Sequence, residues 1–193
     1  MKLFSLFAQN IVLPLADIIL KSKINELLIF WRKVQWYDDA TLKMLQKQKL
    51  RKLLFHAKSN ISYYKKSMEK IDLALEADPY KILKKMPILT KKIIKQNLPS
   101  EIIDNNKNIY RVDKTSGSTG EQGVFYHDNF SYSNAIAIQT LWWEWSSYKI
   151  GDRMILFGIN PLRGFIKRVK DILFRTTYID AFDLSKSNIK DQL

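Results

Sequence analysis

The chain has 193 residues, of which 46% are hydrophobic and 26% are charged, and this ordinary balance predicts a folded domain with a sizeable core. The formal net charge of +13 favours polyanionic partners such as nucleotides, nucleic acid or anionic lipid, although lysines spread over nearly the whole chain also fit a general compositional bias. The absence of cysteine excludes disulfides, thiolate metal sites and cysteine nucleophiles, and two histidines are too few to predict a histidine-based metal site.

The first segment, residues 3–20, is mostly apolar, so a signal peptide or a membrane anchor is the first structure to consider. Gln9, Asn10 and Asp17 interrupt the run, and a carboxylate at the centre of a bilayer is costly. No cleavage site of the small-residue type stands at a suitable place. We therefore predict one or two helices that pack on the protein or lie on a surface, with in-plane membrane contact as the alternative.

The region up to residue 112 is predicted to be helical. All six glycines lie at or beyond Gly117, and glycine is typical of turns and positive φ. Asp38 or Asp39 is expected to cap a helix over residues 40–59. The other predicted helices are short, and they cover 63–70 after a Ser62 cap, 79–85 after Asp78, and the residues between a Thr90 cap and Pro99.

Beyond that region, strands and helices are predicted to alternate. Residues 109–112 and 123–127 are expected to form a hairpin. The later predicted elements are a helix capped by Ser131 or Ser133 that runs to about 147, a buried strand over 153–159, a helix over 165–174 and a strand over 177–179. This order predicts a mixed α/β fold, with a helical lead-in followed by a β-hairpin and alternating helices and strands.

The chemistry is expected in the loop between the two hairpin strands. Its residues are Thr115, Ser116, Gly117, Ser118, Thr119 and Gly120. Hydroxyl and backbone N–H donors suit phosphate oxygens, and glycine lets the backbone approach closely. The loop has no Gly-Lys-Ser/Thr ending and precedes a strand, so it is not a Walker A loop. Because Ser, Thr and Gly are also ordinary turn residues, a polar hairpin turn is the alternative.

The order of these residues resembles the Thr-Ser-Gly-Ser/Thr-Thr-Gly signature of the adenylate-forming (acyl-CoA synthetase-like) superfamily. The continuation over residues 121–126, Glu-Gln-Gly-Val-Phe-Tyr, is similar to the Glu-Pro-hydrophobic-x-Phe-Tyr of the phenylacetate-CoA ligase and CapK branch. Further segments that resemble this branch follow in the expected order, at 50–57, 61–64, 86–91, 150–153 and 181–185. The resemblance therefore runs along essentially the whole chain.

The resemblance implies an enzyme that joins a carboxylate to the α-phosphate of Mg²⁺-bound ATP. The acyl-adenylate then passes its acyl group to coenzyme A or another nucleophile. Carried over by position, Thr115, Ser116, Ser118 and Thr119 would contact the β- and γ-phosphates, while Gly117 and Gly120 would allow close approach. Glu121 ends the loop with a less defined role.

The family's adenine and ribose motifs, its metal-binding acid and its catalytic lysine have no counterpart here, and they are expected beyond Leu193. We therefore predict that the chain is the N-terminal portion of such a ligase and is inactive alone. Its predicted parts are a helical region at 1–112 and the start of the ATP-binding region at 113–193. The end is abrupt, because Asp183 or Ser185 would cap a helix over 188–193 of under two turns. Gln122 also replaces the family's proline, and no lysine follows the loop closely.

The expected partners are a small-molecule carboxylate and the remainder of the same chain. The expected location is the cytoplasm, and association with the inner face of the membrane is a further option. The further option for the pathway is capsule or surface polysaccharide biosynthesis. No nucleic-acid recognition module is visible, so nucleic acid is not an expected partner. The alternative function, from another class, is a non-catalytic basic module that binds a membrane surface or another polyanion.

Other residues favour structural roles. His127 is expected to be an exposed histidine at a strand end, with a proton-transfer or phosphate-contact role as the alternative. His56 is expected to pack on its helix. Trp142, Trp143 and Trp145 lie in an apolar helical run, so packing is favoured over stacking with a substrate.

Overall fold

The computed structural model describes residues 2–97, 100–104, 107–115, 122–158 and 164–181. Within these residues the elements are α1 (Lys2–Phe7), a π-helical turn (Ala8–Val12), α2 (Leu13–Leu20), α3 (Ile24–Val34), α4 (Asp39–Asn60), α5 (Ser62–Ser67), α6 (Pro79–Lys85), α7 (Lys91–Asn97), β1 (Arg111–Lys114), β2 (Val124–His127), α8 (Asn129–Trp145), β3 (Met154–Gly158), α9 (Phe165–Leu173) and β4 (Thr176–Asp180). The mixed α/β class, the helical lead-in and the antiparallel hairpin are confirmed. The short helix predicted over 188–193 lies outside the described residues.

Three predicted helix starts are confirmed by their caps. The Asp38 carboxylate begins α4, because it accepts from the Thr41 hydroxyl at 2.6 Å and from the Thr41 backbone N–H at 2.9 Å. These two hydrogen bonds lower the pKa of Asp38. Asp78 accepts from Tyr80 N ahead of Pro79 in α6, and the Thr90 hydroxyl accepts from Ile93 N in α7. Each cap satisfies a backbone donor that has no partner inside its helix.

Other helix starts were predicted wrongly. Ser62 is the first residue of α5 rather than its cap, because Ile61 holds the extended conformation before it. The cap of α8 is Asp128, not Ser131 or Ser133, since the Asp128 carboxylate accepts from Ser131 N at 2.7 Å. Helix α3 was not predicted. Its cap is Asp17, which accepts from two backbone N–H groups at the start of α3 across an intervening turn.

The chain divides into two compact units. The split unit consists of Met1–Trp31 and Ser133–Leu193, and the central unit is the intervening segment, Arg32–Tyr132. Each unit has a hydrophobic core. The division predicted at residues 112 and 113 rests on the family resemblance and stays a prediction.

The core of the split unit joins segments that are far apart in sequence. Its buried residues are Ala8, Leu13, Leu27, Leu28, Ala137, Leu141 and Ile150. The Ser5 hydroxyl donates to the Ile150 carbonyl at 2.8 Å, and Gly151 follows with φ +89°. A Cβ at Gly151 would lie 2.7 Å from the Ala8 Cβ, so this position requires glycine both for its backbone and for its space.

The second sheet also belongs to the split unit. Strands β3 and β4 pair in parallel with α9 between them, in the register Met154 to Thr176 through Gly158 to Asp180. The expectation of a buried strand is wrong for the centre of β3, because Ile155, Leu156 and Phe157 are exposed. A short apolar run indicates a strand but does not show which of its faces are covered.

The central unit packs Leu54, Met68, Leu73 and Ile82 into its core. Two cations of α4 fix the loop that crosses this core. Arg51 donates to the carbonyls of Leu73, Glu76 and Ala77, and Lys58 donates to that of Ile71. These hydrogen bonds satisfy carbonyls that have no strand or helix partner.

Candidate functional site

The predicted phosphate loop is carried by the β1–β2 hairpin of the central unit. The register pairs Arg111 with His127 and Lys114 with Val124. Two hydrogen bonds extend the pairing by one step. Thr115 N–H donates to the Gly123 carbonyl at 3.0 Å, and Gly123 N–H donates to Thr115 Oγ1 at 2.8 Å. The two strands therefore stay paired up to the point where the loop begins.

Only the first residue of the predicted site, Thr115, lies within the described residues. The remaining predicted site residues lie outside them, and these are Ser116, Gly117, Ser118, Thr119, Gly120 and Glu121. The Thr115 oxygen accepts a hydrogen bond from the Gly123 backbone N–H. A hydroxyl has two acceptor positions and one proton to donate, so this bond leaves the Thr115 proton available to a phosphate oxygen.

Gly123 completes the base of the loop, a role that its sequence context did not reveal. A Cβ at this residue would lie 3.1 Å from Cε2 of Phe125 and 3.5 Å from Thr115 Oγ1. Any larger side chain would have to displace the Phe125 ring, which is exposed and has room to give. A Cβ here would be in ordinary contact with the Thr115 side chain, so the contact between the two strands does not itself require glycine.

One face of the hairpin carries a chain of polar contacts. Asp113 accepts from Arg111 Nε at 2.7 Å, and His127 Nε2 lies 3.4 Å from the other oxygen of the same carboxylate. Arg111 also donates to the Tyr132 hydroxyl at 3.1 Å, with its guanidinium carbon 5.1 Å from the centre of that ring. The hydrogen bond to Asp113 raises the pKa of Arg111. These groups link the two strands from the open end of the hairpin to the middle of its stem.

Sequence reasoning missed this contribution of Arg111 and Asp113. Their spacing of two residues was the available signal, because alternate residues of a strand lie on one face. His127 was predicted to be exposed, but its side chain is half-buried and its ring contacts the Asp113 carboxylate.

The open end of the hairpin is also fixed. Tyr110 N–H donates to the His127 carbonyl at 2.8 Å, and Lys107 Nζ lies 2.6 Å from the Asp128 carboxylate. Burial raises the pKa of Asp128, but the hydrogen bonds from Lys107 and Ser131 outweigh it and leave the pKa below its ordinary value. This charged cap sets the point where β2 ends and α8 begins.

The other candidate residues lie elsewhere. His56 packs less closely than expected, because its ring is partly exposed, but both ring nitrogens have partners. Nε2 lies 3.0 Å from an Asp104 carboxylate oxygen, and Nδ1 lies 3.1 Å from Asn60 Nδ2. Packing is also wrong for Trp142 and Trp145, which are 56% and 65% exposed. Trp143 contacts the Tyr148 ring edge-on, at 5.8 Å between centroids.

The described residues contain no cluster of three or more His, Asp or Glu side chains that would hold a metal ion. A shallow cavity of about 380 Å³ lies along α4, and Lys43, Lys47 and Arg51 are among its lining residues. Each of these cations already has a partner: Asp39 for Lys43, Asp78 for Lys47 and the loop carbonyls for Arg51.

No family model matches the chain, and no curated protein matches it either.

Proposed function

We propose that this chain provides the phosphate-binding loop of an ATP-dependent, carboxylate-adenylating ligase of which it is the N-terminal portion. One observation carries the proposal. Four hydroxyls and two glycines, in the order of the adenylate-forming signature, stand between two paired strands that the Thr115–Gly123 contacts hold together.

A paired stem suits the chemistry of adenylate formation. When a carboxylate attacks the α-phosphate, negative charge moves onto the departing pyrophosphate. Donors that already point at those oxygens stabilise this charge without reorganising during the reaction. The hydroxyls of Thr115, Ser116, Ser118 and Thr119 are the proposed donors. The contribution of the loop is positioning and electrostatic stabilisation rather than covalent catalysis.

The proposal limits what this chain does. It assigns the phosphate contacts to the loop, and it follows the resemblance in leaving adenine, ribose and Mg²⁺ binding and the catalytic lysine to sequence beyond Leu193. Coenzyme A is the proposed acyl acceptor and a small carboxylate the substrate. The enzyme is proposed to act in the cytoplasm, in capsule or surface polysaccharide biosynthesis.

Ligand binding by the 193-residue chain tests the loop. The measurement is equilibrium dialysis with Mg²⁺-bound ATP and, separately, with pyrophosphate. Replacing Ser116 and Ser118 by alanine removes two hydroxyl donors, and a hydrogen bond to a charged group contributes about 1.5–3 kcal/mol. Two such bonds together amount to about 3–6 kcal/mol, so we expect the dissociation constant of pyrophosphate to rise by about a hundredfold or more.

The matched control replaces two serines outside the loop, Ser100 and Ser146, which are exposed. This double variant should bind as the parent chain does. In a longer form that carries the remaining motifs, ATP–pyrophosphate exchange should fall sharply when Ser116 and Thr119 become alanine. Equal binding by both double variants, or unchanged exchange, would exclude the phosphate role of the loop.

A further inference from the structure

Residues 2–20 form one continuous helical stretch, which we call the N-terminal helix: α1, the π-helical turn and α2. One side of it belongs to the core of the split unit. Ala8 and Leu13 are buried there, and the Ser5 hydroxyl bonds to the Ile150 carbonyl. This side of the helix therefore packs against the rest of the split unit.

The opposite side is apolar and exposed. Six large residues there are between 48% and 84% exposed: Leu3, Phe7, Ile11, Leu15, Ile18 and Ile19. Their spacing of three or four residues places them in one stripe, which at 1.5 Å per residue is roughly 25 Å long. Contiguous exposed apolar surface of this kind marks an interaction site rather than ordinary surface.

Helix α9 adds a second exposed apolar stripe with positive charge at its edges. Phe165, Val169, Ile172 and Leu173 are exposed at helical spacing. At 100° per residue, Arg168 and Lys170 flank this stripe on its two sides. An apolar stripe bordered by cations is typical of helices that lie in the interface of an anionic bilayer.

The two stripes belong to neighbouring elements of the split unit. The Arg175 guanidinium carbon, just past the end of α9, lies 5.0 Å from the centre of the Phe4 ring. Phe4 and Phe174 both pack against the same core. The end of α9 and the start of the N-terminal helix are therefore close together.

The mean hydropathy of Leu3–Leu20 is 1.8, and its length and composition would allow it to cross a membrane, a criterion that core helices and signal sequences also meet. A spanning orientation would remove Ala8 and Leu13 from the core. It would also separate the Asp17 carboxylate from the backbone N–H groups of Ile24 and Asn25. An in-plane orientation keeps all these contacts and presents only the exposed stripe to lipid.

We propose that the N-terminal helix and α9 form an in-plane docking surface for an anionic lipid bilayer. The apolar stripes enter the boundary between headgroups and acyl chains, and Arg168 and Lys170 contact the headgroup phosphates. The inference goes beyond the proposed ligase and uses no residue of the loop. Replacing Ser116 and Ser118 by alanine should therefore leave membrane binding unchanged, so either proposal can fail without the other.

Flotation of the 193-residue chain with vesicles tests the surface. The parent chain should float with vesicles that contain phosphatidylglycerol and much less with pure phosphatidylcholine at the same salt. Replacing Ile11 and Ile18 by glutamate should lower the partition coefficient at least tenfold. The matched control makes the same two changes at exposed apolar residues of the central unit, Leu75 and Ile88, and should bind like the parent.

Reversing Arg168 and Lys170 to glutamate should weaken binding to the anionic vesicles only. The same reversal at Lys81 and Lys84, exposed cations of the central unit, is the control. Circular dichroism shows whether each variant keeps its helices. A variant that does not fold would not test the surface, so a second experiment labels the chain without changing its charge.

Because the chain has no cysteine, single cysteines at positions 3, 11 and 19 accept a fluorophore at one defined residue each. Quenching by lipids labelled at different depths should place all three at one shallow depth. A label at position 75 should remain in water. A deep position 11 between two shallow ends would show a spanning helix and overturn the proposal.

Three other results would also overturn it. The first is that the parent chain does not float with vesicles. The second is that the glutamate changes at Ile11 and Ile18 weaken binding no more than those at Leu75 and Ile88. The third is that light scattering shows a dimer which the Ile11 and Ile18 changes dissociate, while vesicles do not bind. The last result would assign the stripe to a second copy of the chain.

Discussion

The central unit and the split unit differ in what they present to water. Residues 32–132 contain 20 Lys and Arg against 11 Asp and Glu, while the remaining residues contain 12 against 8. The exposed stripes of the N-terminal helix and α9, in contrast, lie in the split unit. The excess of positive charge is therefore larger in the central unit, while these two apolar stripes belong to the split unit.

The two units also depend on different interactions inside. In the central unit, Arg51, Lys58 and Asp128 hold loops and helix ends through charge-assisted hydrogen bonds. In the split unit, distant segments meet through packing at Ala8, Leu28 and Ala137. The proposed phosphate loop thus belongs to a unit held by charge-assisted hydrogen bonds, and the proposed lipid-binding stripes belong to a unit held by apolar packing. Substitutions at single residues test this contrast.

The largest expected effect is in the core of the split unit. Leu28 and Ile29 are neighbours on α3, but Leu28 is fully buried whereas Ile29 is 57% exposed. Replacing Leu28 by alanine should lower the free energy of unfolding by about 2–5 kcal/mol, because it leaves a cavity. Replacing Ile29 by alanine should change it by less than about 0.5 kcal/mol. Urea denaturation followed by circular dichroism measures both, and similar losses would mean that the packing of α3 is wrongly assigned.

The helix starts in the central unit were predictable because their signals are local. Asp38 and Asp78 stand next to the helices that they cap, so the sequence pattern identifies them. Helix α3 was missed because its capping carboxylate is Asp17, seven residues before Ile24. The chain returns to that carboxylate through a turn in which Lys21 has φ +51°, and no short pattern marks such a cap.

The burial pattern of α8 did not follow from its apolar run. The tryptophans in that run were expected to pack, but the buried face consists of Ser133, Ala137, Thr140 and Leu141. Small residues let a helix approach its neighbours closely, and an apolar run does not show which face is covered by tertiary packing. The same limit applies to the candidate site: the hairpin was predictable from its strands and glycines, but the contact between Arg111 and Asp113 depends on which strand face each occupies.

A smaller effect is expected at Arg51 in the central unit. Arg51 donates to three backbone carbonyls, at Leu73, Glu76 and Ala77, while its neighbour Lys52 is exposed. Replacing Arg51 by methionine keeps much of the side-chain volume and removes the donors, which should lower the free energy of unfolding by about 1–3 kcal/mol. The same change at Lys52 should be nearly neutral. If both variants unfold at the same urea concentration, the loop over 71–77 is held by packing instead.

The smallest effect, and the one that depends on pH, is expected at Asp128. The pKa of this carboxyl is lowered in the folded chain, so its contribution is complete above the ordinary aspartate pKa of about 3.9 and disappears as the pH falls through the lowered value. Replacing Asp128 by asparagine, which still caps a helix but carries no charge, should lower stability at pH 7 by about 0.5–1 kcal/mol.

The difference between the parent chain and this variant should begin to shrink as the pH falls below about 4 and should continue to shrink as the pH passes the lowered pKa, because the carboxyl is protonated first in the unfolded chain and then in the folded one. Replacing Glu69, an exposed carboxylate, by glutamine is the control and should give no such convergence. Urea denaturation at several pH values measures the effect. A difference that stayed constant down to pH 3 would show that the hydrogen bond to Ser131 N–H, rather than the charge shared with Lys107, fixes the end of the hairpin.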